Sequence, residues 1–228
     1  ESGIANDLYK MFHVLFGGLK GGLAIGTMFM MVAISAMNGL SVAGMAIGAT
    51  IALPEMLKRN YDKRMITGVV QAGSSLGILI PPSVVMVLYG MIARQPVSKL
   101  WMAGILPGLL MASLFLIYIY VRCKLQPELG PPLKKEEREV STIEKIRLLK
   151  AGIIPFLIVF FMTGLFLMGI ASLVECSAVG AFLATLAAIY KRRFNKQVLE
   201  NTLKKTLGVS CMFMWIILAA LTFGAVFD

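Results

Sequence analysis

Two adjacent prolines, Pro81 and Pro82, follow the small and polar residues in the sequence QAGSSLGILIPPS. Because proline has no amide hydrogen, neither residue can donate to the carbonyls of Gly77 and Ile78 one helical turn earlier. An unpaired carbonyl is costly in hydrocarbon, so water, a hydroxyl, neighbouring backbone or a cation must satisfy it. Ser83 supplies a hydroxyl directly after the break. These residue types indicate a site that binds a cation through neutral oxygen atoms.

A second break lies in the apolar run 22–53, where the sequence SAMNGLS provides two hydroxyls and one side-chain amide. Asn38 and Gly39 favour a turn, and neither flanking arm has the roughly 20 residues needed to cross a bilayer. We therefore predict a re-entrant helical hairpin over 22–53, with a single long tilted helix as the alternative. Ser41 is a suitable N-cap for the second arm, whose positive helix end would face a carboxylate or phosphate inside the membrane.

A broken helix beside a re-entrant hairpin is a known arrangement for binding sites near the bilayer midplane, where unwound carbonyls suit Na⁺ and half-helix N-termini suit anions. No Asp, Glu, Lys or Arg lies at the proposed midplane. This argues against a carboxylate proton relay and favours Na⁺ as the only bound metal. A simple kink at the proline pair is the alternative. We predict that substrate is bound by Asn38, Ser41 and Ser83, and ions by Ser35, Gly39, Gly73, Gly77 and Ile78.

The composition indicates that these segments lie in a membrane. The 228 residues are 58% hydrophobic and 15% charged, whereas a soluble domain usually carries about 25% charged residues. We predict an all-α integral membrane protein, a multi-span helical bundle with a re-entrant helical hairpin and a proline-broken helix. The predicted spans are 65–92, interrupted by the proline pair, and then 100–121, 151–171, 173–190 and 207–227.

The basic residues set the predicted orientation. A net charge of +10 would suit nucleic acid, but the basic residues lie at the ends of apolar spans, as the positive-inside rule requires, so we predict no nucleic-acid partner. With both hairpin ends in the cytoplasm, all of the 22 basic residues except Arg94 and Lys99 fall inside. A first segment that crossed the membrane would scatter these charges. The distribution therefore supports the hairpin.

Three further segments are predicted outside the spans. Residues 7–19 and 194–207 mix apolar and basic side chains, and are predicted as helices along the membrane surface or as ordinary cytoplasmic connectors. The polar linker 124–150 begins with several prolines, and 134–150 is predicted as a charged helix. Trp101 is predicted as an interfacial anchor.

Enzyme chemistry is poorly supported by the sequence. His13 is the only histidine, and the three cysteines lie far apart, with no spacing typical of a metal site or disulfide. Ser172 and Glu175 have the spacing of a capping box and are predicted to begin a helix. We predict no enzyme activity and no organic cofactor. A non-transporting membrane scaffold and an ion channel are the alternative classes, although no ring of charges indicates a pore.

Several ordered motifs resemble the large membrane subunit of TRAP transporters, the DctM-like family. The motifs ALPEM and NYD come first, then GILIPPS and YG, then AGILPG, and the match runs along essentially the whole chain. The opening ESGIA, and Glu175 with the later AVGA, agree in order and spacing. The family's second hairpin and second broken helix are not in this chain, which opens on Glu1 and ends directly after an apolar run. These features predict a fragment of a longer protein.

The resemblance implies a Na⁺-coupled importer of organic acids, such as C4-dicarboxylates, sialic acid-like compounds or related carboxylates, in the bacterial inner membrane. It implies a periplasmic substrate-binding protein and a small TRAP membrane subunit as partners, and an elevator motion of the large subunit. It also places 35–42 on the hairpin tip and 73–83 on the adjoining broken helix, both in the transport domain. We therefore add Val42 of this tip to the predicted ion-binding residues. The predicted layout is an interfacial arm helix (1–21), a transport-domain half (22–123), a cytoplasmic linker (124–150) and further membrane spans (151–228).

Overall fold

The computed structural model describes residues 4–132 and 142–227, and in these ranges the regular elements are helices, with no strand. Two compact units divide the chain, one over Ile4–Ala184 and one containing the described residues from Thr185 onward. The prediction of an all-α membrane fold is confirmed. The helices long and apolar enough to cross a membrane are Val97–Leu125, Leu173–Tyr190 and Lys196–Val226.

Helix α1 (Ile4–Phe16) is amphipathic and packs on α2 (Gly22–Asn38). One face of α1, which includes Phe12, is buried, whereas Lys10 on the opposite face is exposed. The rings of Phe12 and Phe29 stack with their centroids 5.6 Å apart. Helix α2 is buried on almost every side, as expected for a helix that is apolar all round. A position of α1 along the membrane surface stays a prediction.

The chain reverses direction at Gly39, directly after α2. Its φ of +63° lies in the left-handed region, which glycine adopts without a steric penalty. The returning arm consists of α3 (Ser41–Ile47), a π-helical turn (Gly48–Ala52) and α4 (Leu53–Lys58).

Contacts between the two arms establish that they run antiparallel. Close to the turn, a Cβ placed on Gly44 would lie 3.5 Å from Ser35 Oγ. Further from the turn, Thr27 Oγ1 donates to Met56 Sδ at 3.7 Å. Residues near the turn therefore contact each other, and so do residues far from the turn. The two arms are antiparallel, and the segment is a helical hairpin. That both of its ends lie on one side of the membrane stays a prediction.

The next helix is interrupted at the proline pair, as the sequence predicts. Helix α5 (Lys63–Ser75) begins at the N-cap Asp62, whose carboxylate accepts from two backbone amides of the first turn. It tightens into a 3-10 turn (Leu76–Ile78), and helical structure resumes only at α6 (Val84–Ile92). The break lies between these last two elements.

Helix α7 (Val97–Leu125) is longer at both ends than the predicted span 100–121. The segment that follows α7 is hydrogen-bonded to both ends of the hairpin. Gly21 N donates to Gly130 O at 2.8 Å. Asp62 N donates to Leu129 O at 3.2 Å. The end of α7 is therefore held against the hairpin base.

Helix α8 (Thr142–Leu167) starts inside the predicted linker 124–150, so the span predicted from residue 151 is the continuation of a longer helix. Because 133–141 lie outside the described residues, the charged helix predicted over 134–150 is described only in its second part.

Helix α9 (Leu173–Tyr190) has the predicted bounds. The predicted capping box is confirmed, because Ser172 N donates to Glu175 Oε2 at 2.7 Å and Glu175 N donates to Ser172 Oγ at 3.4 Å. Gly169, in the turn before this helix, has a φ of +70°.

Helix α10 (Lys196–Phe227) is one uninterrupted helix. Asn195 caps it, with Oδ1 accepting from Val198 N at 2.7 Å. The prediction of a separate interfacial helix over 194–207 is wrong, because this segment continues without interruption into the predicted span 207–227.

Candidate functional site

The tip of the hairpin lies against the break between α5 and α6. Val84 N, at the start of α6, donates to Gly39 O at 3.2 Å. A Cβ on Gly39 would collide with the Pro82 carbonyl oxygen, and a Cβ on Gly77 would lie 3.4 Å from the backbone carbonyl carbon of Leu40. Glycine at position 39 therefore lets the backbone of the hairpin tip lie directly against the backbone of the break.

A hydroxyl and a carbonyl join the first hairpin arm to α5. Ser35 is fully buried, and its Oγ donates to Gly73 O at 3.2 Å. Gly73 also packs on Met31, since a Cβ there would lie only 2.5 Å from Met31 Cβ. Ser35, Gly73 and Gly77, all predicted ion-binding residues, are thus brought together on one side of the hairpin tip.

Ser83 satisfies one of the carbonyls that the prolines leave without a helical donor. Its Oγ donates to Ile78 O at 2.7 Å and accepts from Met86 N at 3.3 Å, so it also caps α6. The residue is only 1% exposed. The hydroxyl of Ser83 therefore replaces a backbone amide as the donor to a carbonyl before the break, as the sequence predicts.

Helix α7 supports the break from its other side. Trp101 Nε1 donates to Ser83 O at 3.3 Å, and the indole packs edge-on against the Phe166 ring at a centroid distance of 4.8 Å. The prediction of Trp101 as an interfacial anchor is wrong, because only 3% of the residue is exposed. The i, i+3, i+7 spacing of Trp101, Gly104 and Gly108 was the available sequence signal, since it marks a closely packed helix face.

The remaining predicted residues are Asn38, Ser41 and Val42 of the hairpin tip and Ile78 of the 3-10 turn before the break. Ser41 is not the N-cap of α3, because Leu40 holds the extended conformation of that position while Ser41 is already helical. Val42 and Ile78 have hydrocarbon side chains, so only their backbone carbonyls are candidate ligands. Asn38 is the last residue of α2. The binding roles of these residues stay predictions.

Charged groups collect at the base of the hairpin, at the end of its returning arm. Glu55 forms an ion pair with Arg59, and its second oxygen lies 3.9 Å from Lys58 Nζ. Burial acts to raise the pKa of the Glu55 carboxyl, but the hydrogen bond from Arg59 and the charges of Arg59, Lys58 and His13 outweigh it. The pKa of Glu55 therefore lies below its ordinary value of 4.5.

Neutral oxygen atoms are what the hairpin tip and the break offer to a ligand. Among the described residues, no group of three or more His, Cys, Asp or Glu is arranged to hold a metal ion. The hydroxyl of Ser35 and the carbonyls around the break are hard oxygen donors, which suit a hard cation rather than a transition metal that prefers nitrogen or sulfur. That this cation is Na⁺ stays a prediction.

Comparison with known proteins identifies the kind of protein to which this arrangement belongs. The family described as "Tripartite ATP-independent periplasmic transporter, DctM component" matches residues 1–228. The chain belongs to this family. The predicted resemblance is confirmed, and the DctM family consists of membrane permeases of transporters rather than of enzymes.

Several DctM relatives align with most or part of the chain. The C4-dicarboxylate TRAP transporter large permease protein DctM of Pseudomonas aeruginosa is 28% identical over 98% of this chain and 51% of its own length. The 2,3-diketo-L-gulonate permease YiaN of Escherichia coli is 28% identical over 82% of this chain and 42% of its length. The ectoine permease TeaC of Halomonas elongata is 33% identical over 51% of this chain and 27% of its length. The chain spans about half the length of the relatives that cover it from end to end.

Proposed function

We propose that the full-length protein is the permease subunit of a Na⁺-coupled, binding-protein-dependent secondary transporter that imports organic acids. It works in the bacterial inner membrane with a small TRAP membrane subunit and a periplasmic substrate-binding protein. Membership of the DctM family supports this proposal. Two relatives that align with 98% of the chain are named for C4-dicarboxylates, so a C4-dicarboxylate is the first substrate to test.

The contact between Ser35 and Gly73 carries the Na⁺ assignment. A buried hydroxyl and a backbone carbonyl lie 3.2 Å apart where the hairpin meets the broken helix, and oxygen atoms of this kind replace the hydration shell of a small cation. Proton coupling through the membrane usually requires a carboxylate or histidine relay. The proposed ion ligands are hydroxyl or carbonyl oxygens of Ser35, Gly39, Val42, Gly73, Gly77 and Ile78.

Na⁺ binding at these oxygens would hold the hairpin tip on the broken helix. The tip residues Asn38 and Ser41 would then receive the carboxylate of the substrate close to the start of α3. The positive end of a half-helix favours an anion in transporters built from discontinuous helices. Substrate and coupling ion would thus bind the same assembled surface, which links their transport.

Uptake by the full-length protein, reconstituted in liposomes with both partners, tests the proposal. Radiolabelled succinate should accumulate with an inward Na⁺ gradient and not with an equal choline gradient. Ser35→Ala should raise the Na⁺ concentration for half-maximal uptake by roughly five-fold, since a buried hydroxyl contributes about 1 kcal/mol. The matched control is Ser113→Ala, which removes an exposed hydroxyl bonded within its own helix and should leave uptake unchanged.

The alternative of a non-transporting scaffold predicts a different result in the same liposomes. The partners would still assemble on the protein, but no organic acid from a panel of C4-dicarboxylates, sugar acids and sulfonates would be taken up under any ion gradient. Uptake that requires ATP, or that proceeds equally without Na⁺, would contradict Na⁺ coupling.

A further inference from the structure

A single peptide group at the helix break is hydrogen-bonded at both of its ends. The carbonyl oxygen of Ser83 accepts from Trp101 Nε1 at 3.3 Å, while Val84 N of the same peptide donates to Gly39 O at 3.2 Å. The indole of α7 is therefore connected, through one rigid planar unit, to the carbonyl at the tip of the hairpin.

Burial makes this connection strong. Trp101 is 3% exposed and Ser83 is 1% exposed, so water does not compete for the indole N–H or the Ser83 carbonyl. In such surroundings successive hydrogen bonds polarise one another, and a donor to the carbonyl of an amide strengthens the N–H of that amide. Loss of the indole N–H would weaken the bond that orients Gly39 O and leave a buried carbonyl without that donor.

Close packing fixes the position of the indole. A Cβ on Gly104 would lie 2.6 Å from Leu79 O, and a Cβ on Gly108 would lie 2.8 Å from Ile80 Cγ1. These two glycines therefore allow α7 to lie directly on the break. On the other side, the Phe166 ring meets the indole edge-on, with an interplanar angle of 64°. The indole is thus held between the break and α8.

We propose that Trp101 is a positioning residue for the Na⁺ site. Its indole N–H fixes the orientation of the peptide between Ser83 and Val84, and that peptide aims the carbonyl of Gly39 at the bound ion. This inference rests on the proposed function, because it assumes that the hairpin tip binds Na⁺. Trp101 itself contacts neither the ion nor the substrate.

Na⁺-dependent thermal stabilisation of the purified full-length protein tests the proposal without a substrate. Melting temperatures are measured from zero to saturating NaCl, with choline chloride holding ionic strength constant, and the half-saturating Na⁺ concentration is read from the curve. Trp101→Phe keeps an aromatic ring but removes the N–H, and should raise this concentration by about five-fold. Trp215→Phe is the matched control, since Trp215 is 74% exposed, and should leave it unchanged.

Two further proteins separate the hydrogen bond from packing. Phe166→Leu removes the edge contact but keeps the indole N–H, so it should lower the melting temperature without Na⁺ while the half-saturating concentration stays within two-fold. Benzothienylalanine at position 101, in the Trp215→Phe background, keeps the shape of tryptophan and replaces only the N–H by sulfur. It should raise the half-saturating Na⁺ concentration as much as Trp101→Phe does. If Trp101→Phe does not fold, this protein tests the role of the indole N–H in its place.

The possible results are distinguishable. If the unaltered protein gains no more stability from NaCl than from choline chloride, the Na⁺ assignment of the proposed function fails. If the unaltered protein is stabilised by Na⁺ but benzothienylalanine at position 101 leaves the half-saturating concentration unchanged, the role of Trp101 is overturned. An equal rise in Phe166→Leu would also overturn it, because packing alone would then account for the effect.

Discussion

Gly73→Ala is the substitution that most directly tests the contact between the hairpin and the broken helix. The added Cβ would lie 2.5 Å from Met31 Cβ and 2.9 Å from Met31 Cγ, whereas carbon atoms in favourable contact lie about 3.5–4.0 Å apart. Both Cβ atoms are fixed to their helices, so rotation of a side chain cannot relieve the clash. Helices α2 and α5 would have to separate by about 1 Å.

The cost of this separation can be worked out from the structure. Overpacking of a buried site costs about 1–3 kcal/mol, and alanine recovers only about 0.5–1 kcal/mol through its higher helix propensity. The separation also lengthens the bond between Ser35 Oγ and Gly73 O, which is 3.2 Å and is lost beyond about 3.5 Å. Subtracting the two leaves a net destabilisation of up to about 2.5 kcal/mol, and we expect weaker Na⁺ binding.

A series of glycine variants supplies the assay with internal controls. Melting temperatures and half-saturating Na⁺ concentrations are measured for Gly68→Ala, Gly48→Ala and Gly73→Ala in the full-length protein. A Cβ on Gly68 meets nothing within 4 Å, whereas the atoms nearest to one on Gly48 belong to the side chains of Val70 and Met31, at 2.9 Å and 3.0 Å. Gly68→Ala should be at least as stable as the unaltered protein, Gly48→Ala slightly less stable, and Gly73→Ala the least stable.

The ranking of these variants is the decisive result. If Gly73→Ala melts at the same temperature as Gly68→Ala, helices α2 and α5 are not packed as the distances require. If Gly73→Ala is destabilised but binds Na⁺ with unchanged affinity, the packing is correct, and the oxygen atoms beside Gly73 do not belong to the ion site.

Two other perturbations have equally specific outcomes. Gly39→Ala forces alanine into a left-handed conformation at a cost of about 1–2 kcal/mol and adds a clash with the Pro82 carbonyl oxygen. Gly169→Ala is the control, because it carries the same conformational cost but nothing lies within 4 Å of its Cβ. Only Gly39→Ala should weaken Na⁺ binding in the same thermal titration. Glu55→Gln should lower the melting temperature at pH 7, because it removes the ion pair with Arg59. Since the pKa of Glu55 is lowered in the folded protein, the stabilisation by its charge is present above the ordinary pKa of 4.5 and is lost as the pH falls through the lowered pKa. The melting temperatures of the unaltered protein and of Glu55→Gln should therefore become equal at a pH below the lowered pKa.

The broken helix was the most predictable part of the site. The absence of an amide hydrogen in Pro81 and Pro82 is a local property, and so is the ability of Ser83 to replace the missing donor. The structure bears out both features, since α5 and α6 are separated and Ser83 Oγ donates to Ile78 O. The capping box at Ser172 was predictable for the same reason, because all of its partners lie within one helical turn.

Features that depend on residues far apart in the chain were not predictable in this way. The indole of Trp101 donates to the carbonyl of Ser83, which lies 18 positions earlier in the chain. The residues around Trp101 do not predict this acceptor. A tryptophan near the end of an apolar span is typical of a lipid-interface anchor, so tertiary packing overrode the usual meaning of the residue. The N-cap of α3 was predicted at Ser41 but lies one position earlier, at Leu40. The extended backbone conformation of Leu40, rather than the presence of a hydroxyl, decides where α3 begins.

The proposed ion site consists mainly of backbone oxygens, so we expect it to depend on packing more than on any one side chain. No substitution removes a carbonyl, and each net hydrogen bond in the assembly contributes only about 1 kcal/mol. The spacing of the oxygens is instead set by how closely the hairpin, the broken helix and α7 approach one another, and glycines at 39, 73 and 104 permit that approach. A methyl group added at one of these glycines should therefore disturb ion binding more than the loss of a hydroxyl such as that of Ser35. In such a site the glycines carry as much of the functional information as the polar residues.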